Sequence, residues 1–360
     1  MNVLMISTDR NIFKQSSVRE RMIEYGKILG NLNIIIFSTE NHETESISPE
    51  VKIYSTNSSS KISYINDAVK IAEGIDGVEI VSAQDPFETG LAAQRISKDK
   101  KIKLHLQIHT DLFSPSFKKS SILNRVRVGI AKRILPKADG VRVVSKRIKD
   151  SLSKLKLKSE PFVLPIFSDS EKFYTNNEVK TFDKYDKVIM SVSRLESEKN
   201  VDFILDVFAD LNKEDKKMGL IIVGEGSKKD VLEKRCNKLG IIDNVDFVGE
   251  ISSLAPYYKG ADVYFQASSY EGFGLALFEA ALSGLSIVST NVGLVGSVLK
   301  DEEAVLVTYL NKKNAVKQIK RLLDNENLRN SLGNNARESA KKYLISKEEY
   351  LEKYKKSLEI

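Results

Sequence analysis

Little in this chain can be cross-linked or metallated. The single cysteine, Cys236, excludes an internal disulfide, and with only three histidines no His/Cys spacing suits zinc. That usage fits a reducing, cytoplasmic location. Tryptophan is absent, and there is no Pro- or Gly-rich tract and no repeat of fixed period, which excludes fibrous, low-complexity and solenoid classes. No apolar run approaches the ~20 residues of a membrane-spanning helix. Met1 leads into the strand-like Val3-Leu4-Met5-Ile6 with no signal-peptide pattern. Charge of one sign is scarce too: 56 Lys and Arg face 49 Asp and Glu, a mild +7. Such an excess favours nucleotide phosphates or an anionic membrane surface. Zinc-finger spacing, RNA-recognition aromatics and a basic zipper are all missing, so nucleic acid is not an expected partner.

What is present is an ordinary globular composition, 41% apolar and 29% charged, over a length that exceeds one hydrophobic core. Short apolar runs alternate with helical patterns throughout, the rhythm of βα units building parallel sheets. The first half places strands at 3–7, 34–37, 51–54, 80–83, 103–108, 141–144 and 162–164, with helices such as 17–29 and 88–98. The rhythm restarts with strands at 188–192, 219–223, 245–248, 263–266, 286–290 and 304–307. Between them, 166–187 is polar and reads as a linker. The predicted organisation is α/β: two doubly wound, Rossmann-like domains facing a central cleft, 1–167 and 168–340. A last helix at 341–360 is expected on a surface, where it can pack back on the first domain.

Three segments carry chemistry. In 268–281 a strand ends near Gln266, a turn with Gly272 and Gly274 follows, and a helix begins near Leu275. Its free amides and positive dipole end suit an anion at the carboxyl edge of a sheet. Glu271 in the turn and Glu279 about one helical turn on bracket that site. Each alone also reads as a surface acid or a dipole-complementing one. In 191–200, Arg194 and Lys199 can clamp a diphosphate, the arginine by its planar fork and the lysine as a point charge. Glu196 and Glu198 can instead pair with both as solvated loop charge. The third segment, Val223-Gly224-Glu225-Gly226-Ser227, follows another buried-looking strand and is weak by itself.

Together these segments resemble the retaining glycosyltransferases called group 1, or family four, which have the GT-B architecture. The resemblance rests on Val192-Ser193-Arg194-Leu195 with Lys199-Asn200, on Val223-Gly224-Glu225-Gly226, on Val245-Asp246-Phe247-Val248-Gly249, and on Ala261-Asp262-Val263 leading to Glu271-Gly272-Phe273-Gly274-Leu275 and Glu279. Looser matches in the first domain are Gln107-Ile108-His109-Thr110-Asp111, Ala138-Asp139-Gly140-Val141 and Val163-Leu164-Pro165 with Glu171-Lys172-Phe173. The resemblance implies that Arg194 and Lys199 hold the donor diphosphate and that Glu279 binds ribose hydroxyls. Glu271 would face the transferred sugar, while amides of 272–275 grip sugar and phosphate. Gly224 and Val248 would line the donor site, the base being met by backbone around 247–250. His109 would lie near the reacting carbon; by itself it reads equally as a strand-end core histidine. One departure stands out: the family's paired glycines after the first strand are replaced by Ser16 and Ser17, whose hydroxyls and amides at a helix start can still meet phosphate or acceptor.

The implied reaction moves a hexose from a nucleotide-diphosphate sugar to a glycan or lipid-linked acceptor, with retention, no metal and no cofactor beyond the donor, in cell-surface polysaccharide or glycoconjugate synthesis. The rivals are a nucleotide-sugar epimerase of the same architecture and a catalytically silent, sugar-nucleotide-binding regulator. Residues 117–137 read as one basic amphipathic helix with Ile122, Val126, Ile130 and Ile134 spaced by four. Its stripe is expected to pack on the core. The alternative is an anionic membrane surface, which would place the protein at the inner face of the membrane.

Overall fold

A computed structural model describes residues 1–360, which divide into two compact units: 1–167 together with 345–360, and 168–344. Each is built on one sheet. In the first unit the strands are β1 (Asn2–Ser7), β2 (Asn31–Ile36), β3 (Glu45–Ser48), β4 (Val51–Ser55), β5 (Ile80–Ala83), β6 (Lys103–Ile108), β7 (Gly140–Val143) and β8 (Phe162–Val163). They lie in the order β3-β4-β2-β1-β5-β6-β7-β8, parallel except for β3. Strands covered on both faces bury nearly every side chain, which is why 3–6 of β1 and 34–36 of β2 read as apolar runs, while β6 buries His105 and Gln107 as fully as its leucines. The sequence does not reveal β3. It is a four-residue edge strand, Glu-Ser-Ile-Ser, and it neither alternates nor buries a face.

The second unit has a six-stranded parallel sheet ordered β11-β10-β9-β12-β13-β14. Its strands are β9 (Lys187–Val192), β10 (Met218–Val223), β11 (Val245–Gly249), β12 (Val263–Gln266), β13 (Ser286–Thr290) and β14 (Leu306–Thr308). One continuous core joins this sheet to the helices Val201–Glu214 and Lys312–Leu323 through Leu205, Phe208, Phe265, Val288 and Ile319. The segment expected as linker carries a short helix, Glu171–Thr175, whose Phe173 packs edge-on against Tyr258. Helices Lys312–Leu323 and Glu326–Lys341 are separated at Asn325, whose side chain accepts from the Leu328 N–H.

The final helix, Lys347–Leu358, starts later than position 341 and packs on the first unit, with Tyr350, Tyr354 and Leu358 buried in its core beside Val3, Tyr25 and Leu32. One helical expectation needs correction. Residues 117–137 do not form one helix. Ser121 adopts an extended conformation (φ −158°, ψ 162°) and caps a new helix by accepting from the Asn124 N–H, which leaves Pro115–Ser120 and Ile122–Ile134 as separate pieces. The line that packs inward is Val128, Ala131 and Ile134. Ile122 and Val126, expected inside, are 76% and 54% exposed. No helix is long and apolar enough to cross a membrane.

Candidate active site

In the second sheet β9 is flanked by β10 on one side and β12 on the other, so the winding reverses between β9 and β12. Ligands of open α/β sheets bind outside the carboxyl ends of strands at such a reversal. The loops leaving those two strands, 193–200 and 267–274, are the ones that carry Arg194, Lys199 and Glu271.

The loop after β9 tightens into a 3-10 turn, Ser197–Lys199, and hands over to helix Val201–Glu214 at Asn200, which sits in left-handed conformation (φ 50°). Lys199 reaches across to the other loop, where its Nζ lies 2.5 Å from Glu271 Oε1. The same oxygen accepts from the Ser268 hydroxyl at 2.8 Å. Both partners are mostly buried, at 13% and 15% side-chain exposure, whereas Arg194 is 73% exposed and pairs with Glu198 at 3.0 Å. The two expected clamp residues therefore engage different carboxylates. Glu196 does not pair with either cation; it accepts from the Ser227 amide and hydroxyl.

Asn200 fastens the loops together. Its side-chain amide donates to Ala267 O at 2.8 Å and to Ser269 Oγ at 2.7 Å, while the Ser269 N–H donates to Glu198 O. Beyond the turn, Gly274 takes a positive φ of 88° and opens the helix Leu275–Leu282, with Gly272 and Phe273 just before it. Four of that helix's first amides have no partner within it by construction. Gly224 is required by close approach: at φ 128°, a Cβ there would stand 2.0 Å from Ser193 O. Its N–H donates to Gly249 O, and Val248, half-buried, precedes that carbonyl on β11.

Glu279 lies on helix Leu275–Leu282 and is buried, with Tyr258 OH donating to its Oε2 at 3.3 Å. Burial pushes its carboxyl up to about 7, against the opposing pull of the Tyr258 hydrogen bond and the Lys172 charge. It is thus poised between an acceptor-only carboxylate and a hydrogen-bonding acid near neutral pH.

The expected residues of the first unit stand at the carboxyl edge of its own sheet. His109 follows β6 and is half-buried; burial, then the charges of Arg142, Arg21 and His105, push it down to about 3, so the imidazole is neutral. Ser16 caps the helix Ser17–Leu29: its Oγ accepts from the Arg19 N–H and donates to Asn11 O at 2.7 Å. Ser17, exposed, supplies the first helical amide. Asp85, just after β5, is a titratable group not singled out from sequence; burial raises it to about 6 although the Phe87 N–H donates to it. Asn200, Ser268 and Tyr258 were also missed. Only Asn200 carries a readable signal, being a left-handed-tolerant residue directly after Lys199 and before an apolar helix. No group of three or more His, Cys, Asp or Glu side chains is arranged to hold a metal ion.

Comparison with known proteins follows the same division. Residues 173–339 match the family model for glycosyl transferases group 1. The alpha-monoglucosyldiacylglycerol synthase of Streptococcus pneumoniae is 29% identical over 241 residues, 62% of this chain and 54% of that protein. The chain thus spans about half the length of that relative. Among solved structures, sucrose-phosphate synthase from Thermosynechococcus elongatus superposes with a TM-score of 0.80 at 18% identity, over 99% of this chain and 98% of that one. HepE of Anabaena, solved in complex with UDP and glucose, gives 0.74 at 16% identity over 100% of both. At such identities these likenesses establish the fold, two Rossmann-like parallel-sheet domains of GT-B type.

Proposed function

We propose that the chain is a group 1 glycosyltransferase, the family whose model matches residues 173–339, and that it moves a hexose from a nucleotide-diphosphate sugar to a glycan or lipid-linked acceptor, with retention and without a metal. The observation that carries this reading is the meeting of Lys199 and Glu271 at 2.5 Å, at the sheet's winding reversal and just ahead of a helix start. A diphosphate needs a cation and oriented amides, and a sugar needs a hydroxyl acceptor beside them. The two loops supply both.

In the proposed reaction the acceptor oxygen bonds to the anomeric carbon as the bond from that carbon to the phosphate oxygen breaks, on the same face of the ring. The acceptor's proton passes to the departing phosphate. Negative charge growing on that phosphate meets Lys199, Arg194 and the amides of 272–275, preorganised positive potential of the kind that dominates many enzymes' rate enhancement. Positive charge growing on the sugar is favoured by Glu271. Glu279 accepts the ribose hydroxyls in its ionised form. His109, neutral, hydrogen-bonds a hydroxyl and brings no charge.

HepE's complex makes UDP the first ligand to try. Calorimetry should register UDP binding to the intact protein, and Lys199→Ala should lower transfer by about 10²–10³, the cost of one such donor, with the melting curve preserved. Wild-type transfer by Lys199→Ala and Arg194→Ala alike would refute the clamp.

A further inference from the structure

The chain's excess positive charge is not spread over its surface. Seven cations, Lys118, Lys119, Arg125, Arg127, Lys132, Arg133 and Lys137, fall within 112–138, a segment with no Asp or Glu, and they equal the whole +7: outside it 49 Lys and Arg face 49 Asp and Glu. Arg127 is spoken for, its Nε 3.0 Å from Glu88 Oε1 and its guanidinium over the Phe87 ring. The other six are exposed, and none forms an ion pair. Elsewhere lysines and arginines commonly find a carboxylate, as Lys229 and Arg235 do.

Among these charges the chain exposes aliphatic side chains. Ile122 is 76%, Leu123 52% and Val126 54% exposed, all in the first turns of helix Ile122–Ile134. The helix is held from behind: Ile134 lies where a Cβ on Gly90 would touch it, Arg127 meets Glu88, and Phe117 stacks on Phe87 at 6.0 Å. Because Glu88 begins the helix that follows β5, residues 122–126 extend past the carboxyl edge of the first sheet, the edge that bears His109.

We infer that this face, residues 118–137, docks on an anionic lipid surface, with Ile122, Leu123 and Val126 entering the headgroup boundary and the six free cations meeting lipid phosphates. Cations alone would suit any polyanion. Three adjacent exposed aliphatics gain nothing from a nucleic-acid backbone but are stabilised by acyl chains. A lipid-embedded acceptor would then be presented at the edge bearing His109, a consequence that rests on the proposed transfer reaction; the docking itself does not.

The test is co-sedimentation of the full chain with vesicles of phosphatidylcholine alone and of phosphatidylcholine with phosphatidylglycerol, at low and high salt. Binding is expected only to the phosphatidylglycerol vesicles and should weaken with salt. Ile122→Ser/Leu123→Ser/Val126→Ser should bind them about tenfold or more weakly, given the area removed, while its melting shift with UDP stays that of wild type. Wild-type protein left in the supernatant, an unaltered triple variant, or tighter binding to duplex DNA than to vesicles would each overturn the proposal. An unchanged UDP shift in any of those cases leaves the donor reading standing, so the two fail separately.

Discussion

In the first unit the most deeply buried charged side chain beneath the functional edge is a cation, Arg142; in the second it is a carboxyl, Glu279. Arg142 is 2% exposed and has no carboxylate partner. It is held by Gln107 Oε1 at 2.8 Å, the carbonyls of Leu164 and Pro165, the Tyr350 hydroxyl, and the faces of Tyr350 and Tyr354. Its Nε finds no partner at all. The neighbouring His105 and His109 are both pushed down to about 3, by burial first and by Arg142 next. In the second unit burial raises Glu279 to about 7. The same desolvation thus suppresses cations at His105 and His109 and an anion at Glu279. The linkage signs are opposite. Histidines with depressed values contribute stability that is present above their unfolded value of 6.5 and is lost as pH falls toward 3. Glu279, raised from 4.5, contributes stability present below 4.5 that is lost as pH rises through about 7. Hydrogen exchange should therefore show the strand carrying His105 and His109 loosening on acidification and the helix carrying Glu279 loosening on alkalinisation.

The largest way to break that contrast is at Arg142. Arg142→Met leaves several buried acceptors without a donor, each worth about 1–3 kcal/mol, so stability measured by denaturant should fall by several kcal/mol. Arg142→Lys keeps the charge and should fall less. In whichever variant folds, the His109 titration followed by NMR should move upward for Met and not for Lys. An unmoved His109 in the Met variant would show that burial alone holds the imidazole neutral. Next in size is Glu279→Gln. A tenfold change in proton affinity is worth about 1.4 kcal/mol, so a rise from 4.5 to about 7 sets about 3 kcal/mol as the upper bound on the stabilisation gained above pH 7. None is expected near pH 4. The same variant should lose the pH dependence of donor affinity, which in wild type tightens as the carboxylate forms. A melting temperature that changes equally at both pH values would deny that Glu279 is the titrating group.

These contrasts explain what could be read in advance. The turns at the second unit's edge were legible because their constraints fall on residue types: glycine suits the positive φ of Gly224 and Gly274, whereas Arg194, Lys199, Glu271 and Glu279 each read equally as ordinary surface charge until their order along the chain was set beside the family's. The alternating βα rhythm likewise revealed the sheets. Arg142 was not legible, since a charged residue in Gly-Val-Arg-Val gains its meaning from Tyr350, 208 residues away. Nor was the break at Ser121, where capping of Asn124 overrides an unbroken four-residue apolar spacing. Tyr258 escaped for the same reason, since it acts on a glutamate that the tertiary fold brings near; Ser268 bonds Glu271 only three residues on, a local contact that its residue type does not announce.

The finest test separates the two services Asn200 performs, a left-handed backbone and a pair of side-chain bonds between the loops that follow β9 and β12. Asn200→Gly keeps the first and removes the second; Asn200→Ala removes both. If the bonds to Ala267 O and Ser269 Oγ position Lys199 against the Glu271 loop, both variants should raise the donor KM, by about tenfold for two bonds at about 0.5–1.5 kcal/mol each. Both should lose the stability of those bonds, and the alanine should lose about 1–2 kcal/mol more, the strain of a left-handed Cβ. A glycine variant with unchanged KM would mean that the Lys199 to Glu271 contact holds the loops by itself, so that the charge pair, and not the asparagine, sets the geometry of the second unit's edge.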